Sequence, residues 1–77
     1  MNAANKKPQQ LITSEEVKSY LRFDNIGPWV SASIPRLYVD QCFNFLYTQG
    51  IPAQHIKVIG SDERRDLTFI TYLKRAQ

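Results

Sequence analysis

The sequence predicts an α+β domain in which a long central helix packs on a C-terminal antiparallel β-hairpin. Residues 34–49 carry a wide apolar face at helical spacing. Residues 55–60 and 67–74 are rich in β-branched and aromatic side chains and flank a charged, turn-forming segment. A capping-box pattern at residues 13–16 begins a further short helix.

Size and composition indicate one small domain, residues 11–77, preceded by an arm. The chain has 77 residues, of which 43% are hydrophobic and 22% charged. A chain of this length buries only about 60% of its unfolded surface, so we expect a homodimer to supply further burial. Cys42 is the only cysteine, which fits the reducing cytoplasm. No apolar run approaches the roughly 20 residues of a membrane span.

The charge favours polyanions. The formal net charge is +3 and the pI is about 9.2, and neutralising phosphates releases condensed counterions. Residues 1–10 contain Lys6 and Lys7 without any periodicity, so we interpret them as a flexible basic arm that can lie along phosphates. A merely solvated basic surface explains the same charge.

The first helix is predicted from Ser14 to about Phe23. Thr13 is followed three residues later by Glu16, which is the capping-box spacing, and an apolar stripe follows. The alternation of apolar residues from Val17 to Phe23 also suits a strand. The cap favours the helix.

The segment between the predicted helices contains a turn. Gly27 and Pro28 disfavour helix, and residues 29–32 can form a third short strand. We expect Trp29 to fill the core against the central helix, with a recognition role as the alternative.

The central helix is predicted from residue 34 to residue 49. Ser33 is a good N-cap, Pro35 suits the first turn, and Gly50 provides a left-handed stop. The expected apolar face contains Ile34, Tyr38, Val39, Cys42, Phe43, Phe45 and Leu46.

The hairpin is predicted to be apolar on both faces. The residues expected to cover the helix are Ile56, Val58, Leu67, Phe69 and Leu73. Ile59, Ile70 and Tyr72 are then expected to face outward beside Lys57 and Lys74. Such a face can stack bases and hold phosphates, or it can bind a protein, including a second copy of the chain.

The sequence contains few residues in patterns that are typical of an enzyme active site. One cysteine lies on the apolar helix face, where a thiol is usually a small hydrophobe, and His55 has no acidic neighbour. No zinc-ligand spacing and no glycine-rich phosphate loop occur in the sequence. We therefore expect a non-enzymatic protein without cofactor, metal or small-molecule substrate.

Several polar side chains are candidates for nucleic-acid binding. Arg36, Gln41 and Asn44 would share the polar side of the central helix, and their forked groups match base edges. Asp40 lies four residues after Arg36 and offers it a local ion pair. The complete candidate set is Arg36, Gln41, Asn44, Lys57, Arg64, Arg65 and Lys74.

Residues 11–21, Leu-Ile-Thr-Ser-Glu-Glu-Val-Lys-Ser-Tyr-Leu, resemble the opening helix of excisionase-type winged-helix DNA-binding proteins. Residues 49–53 resemble the segment that leads into their wing. The resemblance implies a recognition helix over Arg36–Asn44 and a wing carrying Arg64 and Arg65. The family places its second helix a few residues after the first, whereas residues 24–32 intervene here.

Two arrangements and two functions follow. The fold is either a compact winged helix or a helix lying on a three-stranded sheet. The leading functional prediction is a dimeric, cytoplasmic regulator that binds nucleic acid. The alternative is a protein-interaction module, such as an inhibitor or accessory subunit, that docks or dimerises through Ile59, Ile70 and Tyr72.

Overall fold

The computed structural model describes residues 11–74, so the predicted basic arm at residues 1–10 lies outside the described residues. The helices are α1 (Ser14–Leu21) and α2 (Val39–Thr48), and the strands are β1 (Trp29–Pro35), β2 (Ile56–Asp62) and β3 (Leu67–Leu73). Short 3-10 turns at Arg36–Tyr38 and Ala53–His55 precede α2 and β2. The predicted α+β class is confirmed.

Helix α1 is fixed by its first turn. The Glu16 backbone N–H donates to the Thr13 hydroxyl at 3.1 Å, and the Thr13 N–H donates to the Glu16 carboxylate at 3.0 Å. This reciprocal capping satisfies N–H groups that no helical carbonyl can reach. The helix ends at Arg22, whose φ of 52° is left-handed. The predicted helix is confirmed, and the strand reading of the same residues is wrong.

The three strands form one antiparallel sheet in the order β1-β3-β2. The predicted hairpin is therefore confirmed as β2 and β3, and β1 extends the predicted third strand to seven residues. Tyr72 of β3 lies between Val30 of β1 and Ile56 of β2. The last strand in the chain is thus the central strand of the sheet.

The predicted start of the central helix at residue 34 is wrong. Ser33, Ile34 and Pro35 belong to β1 and pair with β3. The strand pairing continues past Pro35, because the Arg36 N–H donates to the Asp66 carbonyl at 2.9 Å. Helical geometry can begin only after that bond. The predicted end is confirmed, since Gly50 adopts a φ of 86° directly after the helix.

The two sides of the sheet are reversed relative to the prediction. Ile70 and Tyr72 were expected to face outward, but both are fully buried. The reason lies in β1, where Val30, Ala32 and Ile34 are buried and the alternate residues are not. Residues directly opposite in an antiparallel pair share a face, so β1 turns Ile70 and Tyr72 toward the core.

We call the buried side of the sheet the inner face and the other side the outer face. The inner face joins α1 and α2 in one core that contains Val17, Leu21, Val30, Ala32, Ile34, Cys42, Leu46, Ile51, Ile70 and Tyr72. The outer face carries Trp29, Ser31, Ser33, Pro35, Lys57, Gly60, Asp62, Leu67, Phe69, Thr71 and Leu73. The residues that α1 and α2 bury all belong to the inner core, so the outer face keeps apolar side chains outside it.

Strand β2 contains an irregularity that exposes two aliphatic residues. Its register against β3 shifts between Val58 and Gly60, which leaves Ile59 as an extra residue. A bulge of this kind interrupts pairing and re-aims side chains. Ile59 is 59% exposed, as the sequence predicted, whereas Val58 is 60% exposed instead of covering the helix.

Burial raises the pKa of two core groups. The pKa of Tyr72 rises to about 12, first because of burial and then because of the nearby Cys42 and Asp24. Burial alone raises the pKa of the Cys42 thiol to about 11. The Tyr72 hydroxyl donates to the Leu21 carbonyl at 2.6 Å, so this buried polar group is satisfied at the end of α1.

We expect the Tyr72→Phe variant to lose about 1–3 kcal/mol of unfolding free energy at pH 7, because the buried Leu21 carbonyl loses its donor. A raised folded pKa stabilises the fold below the unfolded pKa, and this contribution is lost as pH rises through the folded value. The wild-type protein should therefore weaken above pH 9, first through Cys42 and then, between about pH 10 and 12, through Tyr72.

Urea titrations from pH 7 to 12 measure both effects. Tyr72→Phe should show a shallower alkaline decline than wild type, because the phenol no longer titrates. The exposed Tyr47 provides the matched control, and Tyr47→Phe should follow the wild-type curve. An unchanged alkaline slope in Tyr72→Phe would contradict the assignment.

Candidate interaction surface

The outer face is a small, mostly uncharged platform. Cross-strand pairing places Trp29 beside Leu73, and Ser31, Thr71 and Lys57 in one row. Trp29 is 54% exposed. The prediction that Trp29 fills the core is therefore wrong.

The far end of the platform is built on Phe69. Ser33 faces Phe69 from β1, and Gly60 faces it from β2. A Cβ on Gly60 would lie 3.6 Å from the Phe69 ring, which is ordinary contact. Phe69 and Leu73 are each half-buried, although the sequence prediction placed both against the helix. The outer face thus presents Trp29 beside Leu73 at one end and Phe69 and Leu67 toward the other, with the hydroxyl residues Ser31 and Thr71 between them.

The hairpin turn at the end of the sheet is charged but balanced. The charged residues of the turn and the end of β2 are Asp62, Glu63, Arg64, Arg65 and Asp66. Arg36, which follows β1, lies at the same end of the sheet. Arg65 donates to Asp62 through its backbone N–H at 3.2 Å and through Nε at 2.8 Å. The Nε atom of Arg36 lies 3.6 Å from Asp66 Oδ1, so Arg36 pairs with the turn and not with Asp40. Three arginines and three carboxylates therefore offset one another.

The Asp62–Arg65 contact organises this turn. The hydrogen bonds that Arg65 donates hold the pKa of the Asp62 carboxyl below its usual value. Arg64 is exposed and has no side-chain partner among residues 11–74. Of the two wing arginines in the sequence prediction, only Arg64 is available for a phosphate without breaking a contact.

Two predicted nucleic-acid residues have structural contacts instead. The Gln41 side-chain oxygen accepts the Ile12 backbone N–H at 3.0 Å, which ties the segment before α1 to α2. The Lys74 ammonium donates to the carbonyls of Phe23 and Asn25 at 2.7 and 2.6 Å, and it lies 5.2 Å from the centre of the Phe23 ring. Both side chains hold loops in place.

The remaining candidates are widely separated. Asn44 is exposed on α2, between the buried residues Cys42 and Leu46 in sequence, and therefore faces away from the sheet. Lys57 is exposed on the outer face of β2. The structure brings together only Arg36, Arg64 and Arg65 of the seven predicted residues.

The described domain carries no net charge. Lys6, Lys7 and Arg75 lie outside residues 11–74, so seven basic and seven acidic residues remain within them. The excess of +3 therefore belongs to the two ends of the chain. A broad electropositive surface, which nucleic-acid binding normally needs, does not follow from the charges of the described fold.

The metal-ligand types, the thiol and the imidazole of the described residues can be located individually. Within residues 11–74, no three histidine, cysteine, aspartate or glutamate side chains are grouped as metal ligands. Cys42 is fully buried and its raised pKa keeps the thiol protonated. The His55 Nδ1 atom is buried without a hydrogen-bond partner. Over the same residues, neither helix has the length and hydrophobicity that crossing a membrane requires.

Comparison of the chain with known protein families, with characterised proteins and with solved structures gives no match. The resemblance of residues 11–21 to winged-helix proteins therefore stays a prediction. Sequence reasoning missed Trp29, Phe69 and Leu73 as surface residues. The strict alternation Val-Ser-Ala-Ser-Ile at residues 30–34 was the signal that could have found them.

We expect Lys74→Met to lower the unfolding free energy by about 1–2 kcal/mol, because the carbonyls of Phe23 and Asn25 lose a charged donor. Lys57→Met removes the same charge from the exposed outer face and serves as the control. Urea unfolding at pH 7 measures the difference. Equal stability of the two variants would show that the Lys74 contacts contribute nothing to the fold.

Proposed function

We propose that the protein is a non-enzymatic interaction module that forms a homodimer through the outer face of its sheet. The observation that carries the proposal is Trp29, which is 54% exposed and lies directly opposite Leu73 on a face outside the inner core. Phe69 extends the apolar surface along β3. Burying these side chains against a second sheet removes apolar area from water.

The size of the outer face supports a weak dimer. Three strands of seven residues each make a patch of roughly 14 Å by 24 Å, from the usual strand spacing and rise. Two such patches bury roughly 700–1,000 Å² in total, which lies at the low end of specific interfaces. Interfaces of this size are typical of transient complexes, so we expect self-association that is weak and depends on protein concentration.

A second copy fits this face better than a strongly charged partner. Lys57 and Asp62 are the charged residues of the outer face, and both lie on the edge strand β2. Asp62 is already paired with Arg65. A lysine at the margin can extend its ammonium into water while its stem covers apolar surface. Sheets commonly pack face to face, and a two-fold axis lets the same patch serve both partners.

We expect Trp29→Lys to abolish self-association, because the dimer would have to bury a charge at its largest apolar contact. Sedimentation velocity over a range of protein concentrations measures the association, and circular dichroism checks the fold. Tyr47→Lys is the matched control, since Tyr47 is 45% exposed but lies on α2.

A wild-type protein that stays monomeric up to millimolar concentration would end the homodimer proposal. Association that survives Trp29→Lys but fails in Tyr47→Lys would move the interface to α2. A monomeric wild-type protein that binds a different protein, and loses that binding in Trp29→Lys, would support the alternative function. The protein would then be an inhibitor or accessory subunit that uses the same outer face.

A second candidate function is nucleic-acid binding by the ends of the chain. The observation that favours it is the placement of the whole excess charge at Lys6, Lys7 and Arg75, outside a neutral domain. A dimer would carry two sets of these ends and bind a polyanion with increased avidity. In this proposal the protein is a cytoplasmic regulator, a location that its single, buried thiol also fits.

We expect the double variant Lys6→Gln/Lys7→Gln to reduce the slope of log affinity against log salt by about 1.8, because each phosphate contact in duplex DNA contributes about 0.9. Fluorescence anisotropy with a labelled 20-base-pair duplex measures the slope. Arg64→Gln tests the hairpin turn in the same assay. Absence of binding at 20 mM salt would exclude this function, and equal slopes in the double variant and wild type would exclude the arm.

A further inference from the structure

An open surface cavity of about 440 Å³ is lined by residues from the C-terminal end of α1 and from all three strands. Its lining residues are Ser19, Tyr20, Arg22, Ser31, Ala32, Ser33, Ile59, Phe69 and Ile70. Ser31, Ser33 and Phe69 belong to the outer face, whereas Ser19 and Tyr20 lie in α1 and Arg22 follows it. The cavity therefore includes part of the platform and the end of α1. Its volume falls within the range of about 300–1,000 Å³ that is usual for small-ligand sites.

Arg22 is the single charged residue in the lining of this cavity. Its side chain has no hydrogen-bond or ion-pair partner among residues 11–74. Its backbone, with a φ of 52°, occupies the left-handed position after α1 where glycine or asparagine is usual. An arginine in that position places a positive charge at the cavity, although its backbone must adopt a left-handed conformation that non-glycine residues disfavour.

The other lining groups define the chemistry that would complement Arg22. Ser19, Ser31 and Ser33 contribute hydroxyl groups that can donate hydrogen bonds, and Ile59 and Phe69 contribute apolar surface. A guanidinium pairs bidentately with a carboxylate or a phosphate, but the single positive charge of Arg22 balances one carboxylate and only half of a phosphate dianion. We infer that the cavity binds a carboxylate carried on an apolar group of about the size of a phenyl ring.

Ser31, Ser33 and Phe69 also lie on the face that the proposed dimer would bury, so the ligand and the dimer would compete for this surface. The titrations are therefore made in the Trp29→Lys background, in which the outer face stays free, and a failure of the dimer proposal leaves this test unaffected. The carboxylate could belong to a free organic acid or to the C-terminus of a peptide. The two probes are therefore 3-phenylpropionate and an acetylated tripeptide, Gly-Gly-Phe, with a free C-terminus. The neutral analogue 3-phenylpropionamide controls for apolar binding alone.

Two-dimensional ¹H–¹⁵N NMR titration of the full chain is the direct test. We expect amide shifts at Ser19, Arg22, Ser31 and Ser33 with at least one of the two acids, and none at the same concentration of the amide. Shifts with the free acid identify a small-molecule site, and shifts with the peptide alone identify a protein terminus as the ligand. Equal shifts with acid and amide, or shifts elsewhere only, would overturn the inference.

Variants of Arg22 separate the charge from the fold. We expect Arg22→Gln to weaken binding of the acid about tenfold or more, and Arg22→Lys to weaken it less, because the lost contact is a charge-assisted hydrogen bond. Arg64→Gln removes an equally unpaired arginine from outside the cavity and should bind as wild type does.

The Arg22→Gly variant separates an effect on ligand affinity from an effect on the stability of the fold. Glycine prefers the left-handed backbone at this position, so this variant should melt at a higher temperature while binding the acid more weakly. A variant that is both more stable and weaker in binding cannot have lost the ligand through unfolding. Unchanged affinity in Arg22→Gln and Arg22→Gly would refute the role of the guanidinium.

Discussion

The hydrogen bond from the Tyr72 hydroxyl to the Leu21 carbonyl is the contact on which the rest of the structure depends. Tyr72 lies in the central strand, and its pairing with the buried Val30 of β1 turns its side chain toward the core. With Tyr72 buried, Ile70 must also face the helices, and Phe69 and Leu73 must face the other side. The bond also gives the buried phenol a partner exactly where α1 leaves a carbonyl unpaired.

Local signals in the sequence predicted the elements that depend on local contacts. The capping box of α1 and the stop at Gly50 both involve residues within one helical turn of each other. The hairpin was predictable because its strands are separated by a short charged turn. These features were confirmed because no distant residue can change the backbone preference that creates them.

The orientation of β3 could not be read from β3 itself. Both of its faces contain large apolar residues, with Phe69 and Leu73 on one and Ile70 and Tyr72 on the other. The choice is made by pairing with β1, a contact between residues about 40 positions apart. Because Ser33 and Pro35 also suit a helix start, the sequence prediction gave residues 29–32 to a short third strand and the end of β1 to the helix, and did not use the alternation of β1 to orient β3.

The sequence identified the basic residues, but it could not show which of them would be paired within the fold and which surface would stay available. Basic residues were recognised, yet Arg36 and Arg65 are paired with carboxylates of the hairpin turn, and Lys74 is held by backbone carbonyls. Such pairings depend on which loops meet at the ends of the sheet. The surface that the fold leaves available is instead the platform around Trp29, together with the cavity beside Arg22.

The position of β3 in the sequence has a consequence for folding during translation. Strand β3 follows both other described strands in the sequence but is the partner of each. Until residues 67–73 have been synthesised, β1 and β2 have no neighbour to pair with, and the inner side of the sheet cannot close over the helices. During translation, residues 11–66 must therefore wait for β3 before this domain can fold.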